Sequence, residues 1–153
     1  MRSSTACGAV VAGTAFVLSL IALSTVAGVT EAAHSTKHVQ ELTPDNFDSV
    51  VMDPAHNVFV KFYAPWCGHC QAFAPQWERL GKEMAEKGVD AKLVALDASR
   101  YSTKAREQGV RGFPWIKLYP KHDKGHALTY IGARDVGSML VYLSKNVGSP
   151  PSP

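Results

Sequence analysis

Two hydrophobic periods alternate along this chain. Residues 57–64, Asn-Val-Phe-Val-Lys-Phe-Tyr-Ala, form a near-continuous β-branched and aromatic run, the mark of a central strand covered on both faces. Residues 91–96 predict the next strand, and residues 39–42 a short one ahead of it. Elsewhere the period lengthens. Phe73, Trp77, Leu80 and Met84 recur at spacings of four, three and four, which stripes one face of a helix. Pro75 should kink that helix, and Lys87-Gly88 ends it. Thr43-Pro44 reads as an N-cap followed by proline at the first helical position, with Phe47, Val50 and Val51 on the apolar side. Residues 99–108 predict a polar helix closed by Gly109. Residues 115–119 and 127–130 flank a turn over 121–125, the pattern of an antiparallel hairpin, and residues 135–146 predict a last amphipathic helix. This alternation argues for an α/β layer structure, a central mixed β-sheet flanked by α-helices.

The first thirty residues differ in kind. After Met1-Arg2 no charge appears until Glu31, and residues 9–29 are apolar with small residues throughout. A positive start, an apolar centre and a small-residue end predict a secretory signal peptide over residues 1–33, cleaved between 27 and 33. The competing reading is an uncleaved anchor, since an apolar stretch of about 20 residues is long enough to span a bilayer. With cleavage, the mature chain has no membrane span. One domain is expected over residues 34–147 and a disordered Pro/Ser tail over 148–153. That tail is not a Lys-Asp-Glu-Leu type retention signal, so the expected address is the endoplasmic reticulum lumen or the exterior.

Composition changes the picture little. The 153 residues are 46% hydrophobic, as in a globular protein with a real core. A formal charge of +3 from 16 basic and 13 acidic residues, with no run of like charges, offers no arm for nucleic acid.

The cysteines change it more. Cys7 falls in the leading segment, which leaves Cys67 and Cys70 in the mature chain. Two cysteines separated by two residues close no loop worth closing, so their purpose is chemical. A Cys-x-x-Cys where a strand runs into a helix puts the first sulfur at the helix N-terminus, where free N–H groups and the dipole favour the thiolate. Cys67 is then the nucleophile, and Cys70, one turn on, is its resolving partner. His69, when protonated, adds positive charge beside the thiolate. Half of a zinc site is the other reading, but no second cysteine pair completes it; neither metal nor cofactor is expected.

Phe62-Tyr63-Ala64-Pro65-Trp66-Cys67-Gly68-His69-Cys70, followed by Ala74-Pro75-Gln76-Trp77, resembles the catalytic domain of the protein disulfide isomerase family, within the thioredoxin fold. Leu96-Asp97-Ala98, Val110-Arg111-Gly112-Phe113-Pro114 and Tyr130-Ile131-Gly132-Ala133-Arg134 extend the likeness, which covers about residues 38 to 146. The resemblance implies an enzyme that forms, reduces or rearranges disulfides in unfolded or disulfide-containing secretory proteins, recycled by an unidentified redox partner. It further implies a cis Phe113-Pro114 bond facing the site, Phe113 and Trp66 framing the substrate, and Arg134 near the buried cysteine. A reductase of the thioredoxin type and a binding module with incidental thiols are the alternatives. His69 between the cysteines argues against the first, and the intact Cys-Gly-His-Cys against the second. Three departures stand out. Lys61 occupies the strand position of the family's buried proton-accepting glutamate, and it must either snorkel to solvent or lose its proton. Gln71 replaces a common lysine, and Trp115 stands where a smaller residue is usual.

Overall fold

Five strands and four helices alternate in the computed structural model, which describes residues 37–147. In chain order they are β1 (Gln40–Leu42), α1 (Pro44–Val51), β2 (Val58–Tyr63), α2 (Gly68–Lys87), β3 (Lys92–Asp97), α3 (Ser102–Glu107), β4 (Trp115–Tyr119), β5 (Leu128–Thr129) and α4 (Val136–Asn146). The expected leading segment and Pro/Ser tail lie outside the described residues. The sheet order is β1-β3-β2-β4-β5, so the apolar run of β2 is the middle strand. Parallel pairs join β1 to β3 and β3 to β2, and antiparallel pairs join β2 to β4 and β4 to β5.

Side chains on alternate sides of β2 face separate cores. Phe59 packs with Phe73, Trp77, Leu80 and Met84 of α2 and with Met139 and Leu143 of α4. Val58, Val60 and Phe62 pack with Phe47 and Val51 of α1 and Ala105 of α3. A three-layer sandwich results, and both faces of β2 are covered, as its sequence suggests, with Lys61 the one charged residue it buries. Aromatic stacking adds to the first core: the Phe59 and Trp77 rings lie 5.2 Å apart and tilted by 32°, an arrangement that contributes about 1 kcal/mol beyond area burial.

Local chemistry sets the element ends. The Thr43 N–H donates to Asn46 Oδ1 at 2.8 Å, which holds the first turn of α1. Gly88 and Gly109 end α2 and α3 with φ of 63° and 71°, a region where other residues are strained. The polar helix anticipated from residue 99 begins only at Ser102. Asp97 Oδ1 accepts from the N–H groups of Ser99 and Arg100 at 2.9 and 3.0 Å, and this side-chain turn displaces the first helical turn. Asn57, buried at the entry to β2, donates to the carbonyls of Asp90 at 2.8 Å and Val147 at 3.3 Å and accepts from Lys121 N–H at 2.9 Å. One amide thus ties the end of the fold opposite the cysteines.

Candidate active site

The end of β2 delivers the chain straight into α2. The Cys67 N–H donates to the Ala64 carbonyl at 3.1 Å, and this turn makes Cys67 the N-cap of a 20-residue helix. Its sulfur accepts from the Cys70 N–H at 3.4 Å and lies 3.8 Å from the Phe113 carbonyl. Its thiol is held below the ordinary value, chiefly by the hydrogen bond from the Cys70 thiol. The N–H groups of Cys70 and His69 and the charge of Arg134 act in the same direction. Cys70 is buried, and burial together with its hydrogen bond to the Cys67 sulfur pushes it up to about 11. Both thiols are free. The two cysteines are therefore chemically unequal: one is half-buried and more easily ionised, and the other is shielded and protonated.

Around Cys67 the surface is open. Gly68 and His69 are exposed, and a Cβ at Gly68 would meet nothing within 4 Å. The backbone N–H of His69 is among the groups that favour the Cys67 thiolate. The Phe113-Pro114 bond is cis. Trp66, 71% exposed, stands edge-on to Phe113 with ring centroids 6.1 Å apart. Arg134 donates to the Pro114 carbonyl at 3.3 Å, and its charge favours the Cys67 thiolate. Gln71 Nε2 donates to the Pro65 carbonyl at 2.7 Å, tying the first turn of α2 to the strand exit.

Behind the cysteines lies a polar chamber that sequence reasoning saw only in part. Lys61 does not snorkel: it is 7% exposed, with Nζ 5.0 Å from the Tyr63 ring centroid and 5.7 Å from that of Trp77. Burial lowers its pKa, against the pull of Glu41, Cys70 and Glu78. Glu41 was not anticipated. Its Oε1 accepts from the Tyr63 hydroxyl at 2.8 Å, its Oε2 is buried with no partner, and burial lifts its carboxyl to about 7. The register explains the meeting. Ala95 on β3 pairs with Glu41 on one side and with Lys61 on the other, so two long side chains on one sheet face flank a single methyl group. Adjacent strands are about 4.8 Å apart, a distance both chains easily span. Only the parallel β1–β3 pairing brings Glu41 here, and no local sequence signal carries that pairing.

Among the described residues, no group of three His, Cys, Asp or Glu side chains is placed to hold a metal. No described helix is long and apolar enough to cross a membrane.

An ionisable cysteine capping the helix that follows the middle strand of a mixed sheet, opposite a cis proline, defines a thioredoxin-fold redox protein. The chain belongs to the thioredoxin family, whose profile matches residues 38–145. It is similar to the protein disulfide-isomerase A6 homolog of Drosophila melanogaster, 42% identical over 118 residues, or 75% of this chain and 27% of that protein. It is also similar to protein disulfide-isomerase C17H9.14c of Schizosaccharomyces pombe, 40% identical over 76% of this chain and 32% of that protein. The chain thus spans about a third or less of the length of these curated relatives. Among solved structures, the first thioredoxin domain of mouse protein disulfide-isomerase A4 superposes with a TM-score of 0.64 at 32% identity, covering 74% of this chain and 78% of that one.

Proposed function

We propose that this chain is a thiol–disulfide oxidoreductase of the protein disulfide isomerase type, acting on proteins of the secretory pathway through Cys67 and Cys70. The observation that carries this reading is the inequality of the two thiols at the head of α2. The Cys67 thiolate attacks one sulfur of a client disulfide; the client S–S bond breaks, a mixed disulfide forms, and one client sulfur leaves as thiolate. Cys70 then gives up its proton and attacks Cys67. The Cys67–Cys70 bond forms, the second client thiolate leaves, and two electrons have passed to the client. Run in reverse, the same steps oxidise a client dithiol. The client's own second thiol can instead attack the mixed disulfide, and the result is rearrangement.

The surroundings suit these steps. Trp66 and Phe113 offer apolar surface beside Cys67, and the backbone at the cis Pro114 faces the same opening, which suits an extended client segment. Gly68 keeps the approach clear. Stabilisation of the Cys67 thiolate by N–H groups and Arg134 favours the reduced pair, so the disulfide is an oxidant. Residues 1–33 act as a cleaved signal peptide in this reading. The curated relatives named protein disulfide-isomerase support placement in the endoplasmic reticulum lumen, with a second redox protein recycling the pair.

Insulin reduction tests the activity. Turnover by the wild type and none by Cys67→Ser/Cys70→Ser is expected, whereas equal activity would reduce the protein to a binding module. The equilibrium potential against glutathione then separates net oxidant from net reductant.

A further inference from the structure

We propose that Glu41, on β1, accepts the Cys70 proton when the mixed disulfide is resolved, and that Lys61 is the positioning residue that holds its carboxylate in place. The proposal rests on the redox reading above and adds the residue that completes its last step. Cys70 cannot attack as a thiol, and burial holds it protonated well above neutral pH. Some group inside must take its proton, because Cys70 is shut off from solvent.

Glu41, Lys61, Tyr63, Cys70 and Trp77 line one cavity of about 40 Å³ beneath the active-site turn. A cavity needs roughly 10–15 Å³ of such space to hold a water, so a water bridging Cys70 to a carboxylate fits. Of the two carboxylate oxygens, Oε1 is engaged by Tyr63 and Oε2 is buried and unpartnered. A buried unpaired carboxylate oxygen is costly, and it stands ready to receive a proton. Lys61 lines the same cavity as Glu41 and Cys70, and its charge acts on both. Its own proton is already weakened by burial, so it serves better to steady the carboxylate than to accept.

In the step itself, the Cys70 S–H passes its proton through the bridging water to Glu41. The Cys70 thiolate attacks the Cys67 sulfur, the Cys67–Cys70 bond forms, and the bond from Cys67 to the client breaks. The client leaves as thiolate and Glu41 is left protonated, to be discharged to solvent or to the departing thiolate. The ionisable groups lining the cavity with Glu41 are Lys61 and Tyr63 from β2 and Cys70 and Glu78 from α2, and the charge of Asp97, at the end of β3, acts on Glu41 from outside it. Burial holds Glu41 near pH 7, close to the working pH where a general base is most effective.

Mixing the reduced protein with excess glutathione disulfide separates the two attacks. The phase whose rate is linear in glutathione disulfide reports Cys67, and the plateau rate at saturation reports Cys70. In the wild type the plateau should rise with pH through about 7 as Glu41 ionises, then level. Glu41→Gln should leave the linear phase unchanged and lower the plateau by about 100-fold, the low end of what a positioned base contributes. Its plateau should then climb steadily with pH toward the titration of Cys70 itself. Glu41→Gln/Lys61→Glu, which returns a carboxylate from the neighbouring strand, should recover most of the lost rate. An unchanged plateau in Glu41→Gln overturns the assignment of Glu41 and leaves the redox reading standing. A slow Glu41→Gln that the double variant does not recover, with the fold intact by circular dichroism, also overturns it. A wild type that shows neither phase overturns the redox reading itself.

Discussion

The buried carboxyl of Glu41 makes the stability of the fold depend on pH, and Glu41→Gln should remove most of that dependence. Burial is the main reason its pKa lies near 7 rather than at the ordinary 4.5. In the unfolded chain the group ionises near 4.5, while in the folded protein it keeps its proton until about 7. Across that window the unfolded state binds fewer protons than the folded one, so stability falls as pH rises and levels off above it. At about 1.4 kcal/mol for each tenfold change in acidity, the loss between pH 4.5 and 7.5 is about 3 kcal/mol. That is a large share of the roughly 5–15 kcal/mol that holds a domain together. Lys61 works with the opposite slope: burial lowers its pKa, so its contribution to stability grows with pH toward the ordinary lysine value. In Glu41→Gln the amide oxygen still accepts from Tyr63, and no charge has to be desolvated. Urea midpoints of the reduced protein, measured at intervals from pH 4.5 to 7.5, provide the assay. With a slope of about 1–3 kcal/mol per molar urea, the wild-type midpoint should fall relative to the variant by about 1–3 M over the range. Midpoints that run parallel in the two proteins would refute the reasoning, because they would mean that the carboxyl reaches water and titrates as an ordinary glutamate.

Three further outcomes follow from the site and its frame. Maleimide at mildly acidic pH should label Cys67 of the reduced protein before Cys70, as peptide mass spectrometry would show; preferential labelling of Cys70 would reverse their roles. His69→Pro should make the disulfide more stable and the potential more negative, since proline removes both the ring and the N–H that helps hold the Cys67 thiolate. His69→Ala keeps that N–H and should shift the potential less; an equal shift would assign the effect to the ring. Asn57→Ala should cost about 3 kcal/mol in urea unfolding, because it strands one backbone N–H and two carbonyls, while the linear phase of reaction with glutathione disulfide should not change.

The strands and helices were largely legible because their apolar periods agree with their end signals. Val58–Tyr63 reads as a buried strand on composition alone, and Gly88 and Gly109 stop the helices where they must. The start of α3 was not legible, since it depends on the Asp97 side chain capturing two N–H groups. Within the site, Cys67, Cys70 and their inequality follow from a strand running into a helix. The setting of Lys61 does not: a lone lysine in an apolar strand is open to either fate, and only the packing of Trp77 and Tyr63 over it decides. Glu41 is further from sequence reach, because the pairing that brings it to Lys61 links strands some fifty residues apart.

The three bonds of Asn57 close spans of 33, 64 and 90 residues, the kind of closure that disulfides provide in many exported domains. A disulfide over the longest span would restrict the unfolded chain by somewhat more than 4 kcal/mol. In a protein whose own thiolate attacks disulfides, such a bond would be a substrate held close to the nucleophile. Closing the same spans with an amide makes the scaffold inert to thiol exchange. Among the described residues the only sulfhydryls are the pair at the head of α2, so the fold can pass through oxidised and reduced states with its cross-connections untouched.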